Sequence, residues 1–206
     1  MSTALKLIHE SPETELQIEL DRVLKPKLIL KLASKNNIEL PYKNVREVYK
    51  AYNYKNLQEF LDIYFYSMCV LLTEDDFYNL TMAYLKDCDS SNVRYIKIFL
   101  NPQTHTERGI SFSAIIMGVV RALNEGQVKF GISSKLILSF LRHLSEGAAF
   151  VTLEEAKPYL HSIYGVALDS SGIGHPPSKF IRVLKVAATM GLIQVENYGE
   201  RYTSFL

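Results

Sequence analysis

The chain has 206 residues, 48% of them hydrophobic and 22% charged, and its 23 lysines and arginines against 22 aspartates and glutamates leave a net charge of +1. That composition belongs to a globular chain with a sizeable core and excludes a disordered segment or a coiled-coil rod. The balanced charge lacks the cationic excess that neutralises phosphates, and the longest apolar stretches, near Phe65 to Leu72 and Ile110 to Val120, are too short to span a bilayer. Neither a nucleic-acid nor a membrane partner is expected. Cys69 and Cys88 sit in apolar, helix-like segments without C-x-x-C spacing and read as buried free thiols in a reducing compartment. With no signal-peptide core in Met1 to Pro12, the expected location is cytoplasmic.

In chain order, a tail (1–14) precedes a short strand, Glu15 to Leu20. Pro26 then opens a helix through Leu28, Leu32 and Ala33 that fades at Asn36-Asn37, since proline is preorganised for a first helical turn and asparagine favours turns. From 40 to 90 the pattern is helical. Leu57, Phe60, Leu61, Tyr64, Met68 and Leu71 form one apolar face behind an Asn56 cap with Glu59, and a second helix starts at Thr73 with Asp76, carrying Phe77, Leu80, Tyr84 and Leu85 inward. This is a helical insertion before the next strand.

Val93 to Leu100 is a β-rich run closed by Asn101-Pro102. Ile115, Gly118, Val119, Ala122, Leu123 and Val128 give a helical stripe, in which Gly126 costs about 1 kcal/mol relative to alanine and Gly131 ends the helix as a left-handed cap. The remainder repeats the alternation: strand Leu136 to Leu141, a short helix after Thr152-x-x-Glu155, strand Ile163 to Leu168, a helix after Pro176-Pro177 with Phe180, Val183, Leu184 and Ala187, then strand Leu192 to Glu196. Strands alternating with helices, each strand nearly continuously apolar, predict a parallel sheet covered on both faces, open or closed into a barrel. No G-x-G-x-x-G or P-loop is present, and the glycines of Ser170 to Gly174 lack that spacing.

Several runs resemble one family: Tyr54 to Asp62, Thr73 to Tyr78, Asn101-Pro102-Gln103-Thr104-His105-Thr106-Glu107-Arg108-Gly109, Gly131 to Lys135, Phe140 to Glu146, and Leu168 to Ser171 with Gly174-His175-Pro176-Pro177-Ser178-Lys179-Phe180. From about Glu15 to Glu200 the chain is similar to adenine deaminases of the adenosine deaminase superfamily. The resemblance implies a TIM-type barrel, with the site at the C-terminal strand ends, where zinc-activated water attacks C6 of a purine and ammonia leaves. Zinc lowers the pKa of water from about 15.7 to about 7, which is why the family needs its ligands.

This sequence departs from that pattern at the metal. Gln17 and Glu19 occupy the positions of the family's first-strand His-x-His pair, and Asn197-Tyr198-Gly199-Glu200 replaces His-Ala-Gly-Glu, so Asn197 stands for the third zinc histidine and Glu200 alone keeps the proton donor's residue type. Catalytic zinc needs about three protein ligands and an open position, so neither zinc nor another cofactor is expected here. The family has carboxylates at Lys97, Asn101 and Gly172; Lys97 then reverses a charge at or near the mouth of the site. The family's base histidine and its aspartates lie on later strands, beyond Leu206. His105, His143 and His175 fall on three loops without metal-like spacing, and His143 and His175 are expected to bond loop backbone.

The expected architecture is α/β: a single partial domain (1–206, with 200–206 a short tail), an incomplete TIM-type barrel of about five of the eight strands with a helical insertion after the first β/α unit. Left free, five strands would expose two sheet edges and the apolar residues meant for the lumen. The leading expectation is therefore a catalytically inactive, truncated deaminase-like chain, either a decayed product or an interaction module that works through self-association or pairing with an active relative at its open edges. Two alternatives stand beside it: a zinc-dependent purine deaminase completed by another chain, and a non-catalytic purine-binding module using Asp169 and Ser170.

Overall fold

The computed structural model describes residues 11–170 and 172–195, apart from the side chains of Leu57 and Phe60. Five parallel strands form one sheet in chain order: β1 (Glu13–Glu19), β2 (Val93–Leu100), β3 (Ser133–Leu141), β4 (Gly165–Asp169) and β5 (Ile193–Gln194). The helices are α1 (Pro26–Asn36), α2 (Val45–Ala51), α3 (Leu57–Cys69), α4 (Glu74–Ser90), the single turn α5 (Gln103–Thr106), α6 (Phe112–Phe130), α7 (Glu146–Ala156) and α8 (Ile181–Thr189). This is an open segment of a β/α barrel with the insertion α2–α4 before β2.

Side-chain alternation gives the central strands two buried faces. Ile96, Ile98, Leu100, Leu136, Leu138, Phe140 and Val166 join the helices in the main core. Phe99, Ile137 and Ala167 form a separate cluster on the inner face with Val195 against it. These three are at most 1% exposed, so the expectation of exposed lumen residues fails for them: Phe99 and Ile137 are register neighbours and cover one another across the inner face.

The pairing of β1 with β2 slips between Glu15 and Ile18. Because one extra residue reverses which face each side chain takes, Glu15 accepts a hydrogen bond from Tyr84 of α4, while Ile18 still packs on the helix-side core. Gln17 and Glu19, alternating with Ile18, turn to the inner face. A register irregularity thus aims Gln17 and Glu19.

The insertion is held by caps. Asn44 and Asn56 accept from the amides of Glu47 and Glu59, whose carboxylates reach back to the amides of Lys43 and Lys55. At Thr73 a reciprocal capping box forms with Asp76. Asp76 is fully buried and also binds Lys35 and Asn36 of α1, at 2.7 and 2.8 Å. Against α4 lies α6, close enough that a Cβ on Gly118 would sit 2.2 Å from the Glu74 carbonyl oxygen and one on Gly126 would sit 2.6 Å from Leu85 Cδ1. The helix-weakening glycines are what let these helices touch.

Several boundaries and faces differ from the sequence reading. Leu61 is 45% exposed, because the inward line of α3 runs through Ile63, Ser67 and Met68; the side chains of Leu57 and Phe60 lie outside the described residues. Val128 is 86% exposed, being about 200° round the helix from Gly126. The helix attached to Thr152 begins earlier, at Glu146, where the Ser145 hydroxyl accepts from Ala148; Thr152 is interior and donates back to the Ala148 carbonyl. β5 is short, although the Val195 amide still pairs with Val166, and Glu196 lies outside the described residues. Lys97 is Cα partner to Lys135, four residues below Asn101, so it stands about 13 Å down the strand and not at the mouth.

Candidate functional site

A cleft of about 600 Å³ opens where β1 to β4 end. At its β1 side Glu19, 14% exposed in its side chain, forms an ion pair with Arg22 across the 3-10 turn Leu20–Val23. A guanidinium is a permanent cation, so this carboxylate already has its counter-ion. The next acid, Asp21, is buried and lies 3.0 Å from Nε2 of the fully buried His105. Nδ1 of His105 faces Arg108 at 2.8 Å. Arginine can only donate, so Nδ1 accepts and Nε2–H donates to Asp21; both ring nitrogens are engaged. Phe77 packs edge-on against the imidazole at 4.8 Å. Tyr64, pushed above its ordinary pKa by burial and then by Asp21, stays a neutral phenol at the cleft wall.

On the β2–β4 side the Asn101 amide donates to Asp169 at 2.6 Å, bridging over β3, and Gln103 accepts from the Leu141 amide at 2.7 Å. Asn101 Oδ1 and Ser139 Oγ are buried without a partner among the described residues. Asn101 directly follows β2 and Ser139 lies in β3, in the register that pairs Phe99 with Ile137. Ser170, at φ +75°, takes a left-handed backbone unusual for a residue with a Cβ and meets His143 Nδ1 at 3.2 Å. His175 contacts Lys179, which donates to the Arg142 carbonyl at 2.9 Å. The expected backbone bonds of His143 and His175 are thus side-chain contacts, and Lys179 makes the link to backbone.

Among the described residues no three His, Cys, Asp or Glu side chains are grouped to hold a metal. Gln17 offers a neutral amide, Glu19 is neutralised by Arg22, and both nitrogens of His105 are occupied, so the donors among the described residues do not fit a catalytic zinc, which takes about three protein ligands and an open position. What the described cleft offers is hydrogen bonding: a buried amide oxygen, the carboxylates of Glu19, Glu107 and Asp169, a phenol and two arginines.

Residues 12–203 match the family model of adenosine deaminase. The chain belongs to the adenosine deaminase family. It is 48% identical over 196 residues to the adenine deaminase of Psychrobacter cryohalolentis, covering 95% of this chain and 59% of that protein. The solved adenine deaminase of Arthrobacter aurescens superposes with a TM-score of 0.86 at 40% identity, over 92% of this chain and 58% of that one. A zinc-bound amidohydrolase from Burkholderia ambifaria shares the fold at a TM-score of 0.82 and 22% identity, over 97% of this chain and 56% of that one. The chain therefore spans about three-fifths of the length of these family members.

In this family member Gln17 and Glu19 share the inner face of β1, and Glu19, Asp169 and Ser170 line one cleft. Asn197 and Glu200 lie outside the described residues. Sequence reasoning missed Asp21, Arg22 and Arg108. The i,i+3 spacing of Glu19 and Arg22 is a signal for their pair, whereas Asp21 and His105, 84 residues apart, carry none that one sequence can show.

Proposed function

We propose that this chain is a catalytically inactive member of the adenosine deaminase family, a single partial barrel domain that acts by burying its open sheet against another polypeptide. The observation carrying the reading is the Glu19–Arg22 ion pair beside Gln17: at the two positions that the resemblance assigns to zinc histidines stand a neutral amide and a carboxylate with an internal counter-ion. Without a bound metal no hydroxide forms at neutral pH, and the roughly 8 pKa units that zinc supplies correspond to about 11 kcal/mol of nucleophile availability. Supporting the interaction role, β1 pairs only with β2 and β5 only with β4, so two strand edges lack a described neighbour. Such edges are templates for a further strand.

The purified chain is expected to contain far less than one zinc per molecule and to release no ammonia from adenine or adenosine. One tightly bound zinc with turnover would refute inactivity. A well-folded monomer, alone and with an active adenine deaminase, would refute the interaction role. A second reading, purine binding without catalysis, is favoured by the unpartnered Asn101 Oδ1, which could accept from an exocyclic amine. Calorimetry with adenine tests it, and absence of heat at millimolar ligand removes it. No described helix is long and apolar enough to cross a membrane, and both cysteines are free, in keeping with a cytoplasmic setting.

A further inference from the structure

Ser170 and His143 meet in the cleft on a fixed frame. Ser170 is the first residue after β4 and His143 the second after β3. The strands beneath them are locked, because Leu141 is the register partner of Asp169 and the Arg142 amide donates to the Asp169 carbonyl at 2.8 Å. Both side chains line the same cavity of about 600 Å³, with Ser170 Oγ 3.2 Å from His143 Nδ1. A hydroxyl is a weak nucleophile until a neighbouring base can take its proton, and this separation is within reach of that transfer. In the Nε2–H tautomer the hydroxyl donates to Nδ1, which is the arrangement a base requires.

The backbone of Ser170 is a second, independent observation. At φ +75° a residue with a Cβ is strained, whereas glycine adopts this conformation freely. A glycine here would relieve the strain and lose the hydroxyl. A serine held in a strained turn at the end of a strand, facing a cavity with an imidazole on its oxygen, has the placement of a nucleophile. The same cavity is lined by Leu61, Tyr64 and Phe65 of α3, and Leu61 and Phe65 are 45% and 57% exposed. Such a surface suits an aromatic group.

We propose that Ser170 and His143 form a nucleophilic dyad that accepts the acyl group of an aryl carboxylic ester. His143 Nδ1 takes the hydroxyl proton as Ser170 Oγ bonds to the ester carbonyl carbon. The bond from that carbon to the aryl oxygen then breaks, and the departing phenolate takes the proton from the imidazolium, leaving acyl-Ser170 and a phenol. Attack by water, with His143 again receiving and returning the proton, frees the carboxylic acid and restores the serine. No step uses a metal, so this chemistry is independent of the proposed loss of deamination and of the interaction role.

Reaction of the full chain with p-nitrophenyl acetate in the presence of EDTA, followed by peptide mass spectrometry, tests this. An acetyl group on Ser170, formed with release of p-nitrophenol, is expected. A positioned base contributes about 10²–10⁴-fold, so His143→Gln slows acetylation of Ser170 by about 100-fold or more. His143 is exposed, so this variant keeps the fold. Ser170→Gly, which suits the left-handed backbone, keeps the fold and abolishes the reaction at this site. Acetylation confined to lysines, no acetyl group on Ser170, or a rate in His143→Gln within about threefold of wild type overturns the proposal.

Discussion

Replacing Asn101 by aspartate tests whether the strand-end bridge is a charged hydrogen bond in a dry site. Asn101 is 4% and Asp169 8% exposed, and the amide donates at 2.6 Å. A hydrogen bond to a charged group stabilises by about 1.5–3 kcal/mol. Asn101→Asp removes that donor and sets two carboxylates in contact, which cannot both ionise, so the pair titrates as a unit with one step displaced upward by several units. At pH 8 the folded state then lacks the bond and either tolerates the repulsion or retains a proton, at about 1.4 kcal/mol for each unit between pH and pKa. Together these give a loss of about 2–4 kcal/mol at pH 8.

The sign of the pH dependence follows from linkage. The variant pair has a folded pKa above the unfolded carboxylate value, so the folded state binds the extra proton, and the stability this confers is complete below about pH 4 and lost as pH rises through the folded value. At pH 5 a shared proton restores an O–H donor and the deficit against wild type falls below about 1 kcal/mol. Urea unfolding of both proteins at pH 5, 6.5 and 8 measures this. A difference that is flat with pH, or smaller than about 0.5 kcal/mol at pH 8, would show that the bridge is solvated and the reasoning wrong.

The helix contact gives a paired prediction: Gly118→Ala, whose Cβ would meet the Glu74 carbonyl oxygen at 2.2 Å, costs more than about 2 kcal/mol, because backbone cannot step aside. Gly126→Ala meets only the flexible end of Leu85 and gains about 0.8–1 kcal/mol of helix propensity, so its net change stays within about 1 kcal/mol; equal urea midpoints for the two would refute the assignment. Asp76→Asn is expected to cost about 2–4 kcal/mol, discounted because Lys35 is 44% exposed: the asparagine carbonyl can replace Oδ2, which accepts from Asn36 and the Leu72 and Thr73 amides, but its NH2 then takes the place of Oδ1 and faces the Lys35 ammonium, donor against donor, with the charge lost. Burial pushes the Asp76 carboxyl up, but Lys35, Asn36 and the backbone amides outweigh it and hold the pKa below the ordinary value. Its stabilisation is therefore present above the ordinary carboxylate range and lost as pH falls through the lowered value, and Asp76→Asn should flatten the acid limb of a stability–pH curve.

Local chemistry made much of the fold legible. Pro26, Asn56, the Thr73–Asp76 box and Gly131 mark helix ends where the structure has them, because each acts within a few residues: Pro26 presets the first turn and brings no unpaired N–H, and the others satisfy backbone groups. Thr152-x-x-Glu155 misled because the same residue types occur inside a helix, where a threonine hydroxyl can bond the preceding turn. Leu61 and Val128 misled because periodicity assigns a face without saying where the partner element stops. At the site, Glu19 and Asp169 were visible as positions, but the donor to Asp169 was not: Asn101 and Asp169 are 68 residues apart and meet only once parallel pairing brings β2, β3 and β4 into register.

On the inactive reading, the polar groups at the strand ends also bear on how a deaminase scaffold could persist without a metal. Beside the exposed Glu107, three carboxylates there are buried or half-buried, Glu19, Asp21 and Asp169, and without donors they would resist burial. Each has a donor from this chain: Arg22 for Glu19, His105 for Asp21 and Asn101 for Asp169. Two of these contacts cross between strand ends, Asp21 to His105 from β1 to the turn after β2, and Asn101 to Asp169 over β3. They tie the mouth of the open sheet together by geometry that owes nothing to a bound ion. On the inactive reading, this site holds Glu19, Asp21 and Asp169 with donors of its own chain, a guanidinium, an imidazole N–H and an amide, and those hydrogen bonds account for a strand-end cleft that stays folded and polar without being poised for metal chemistry.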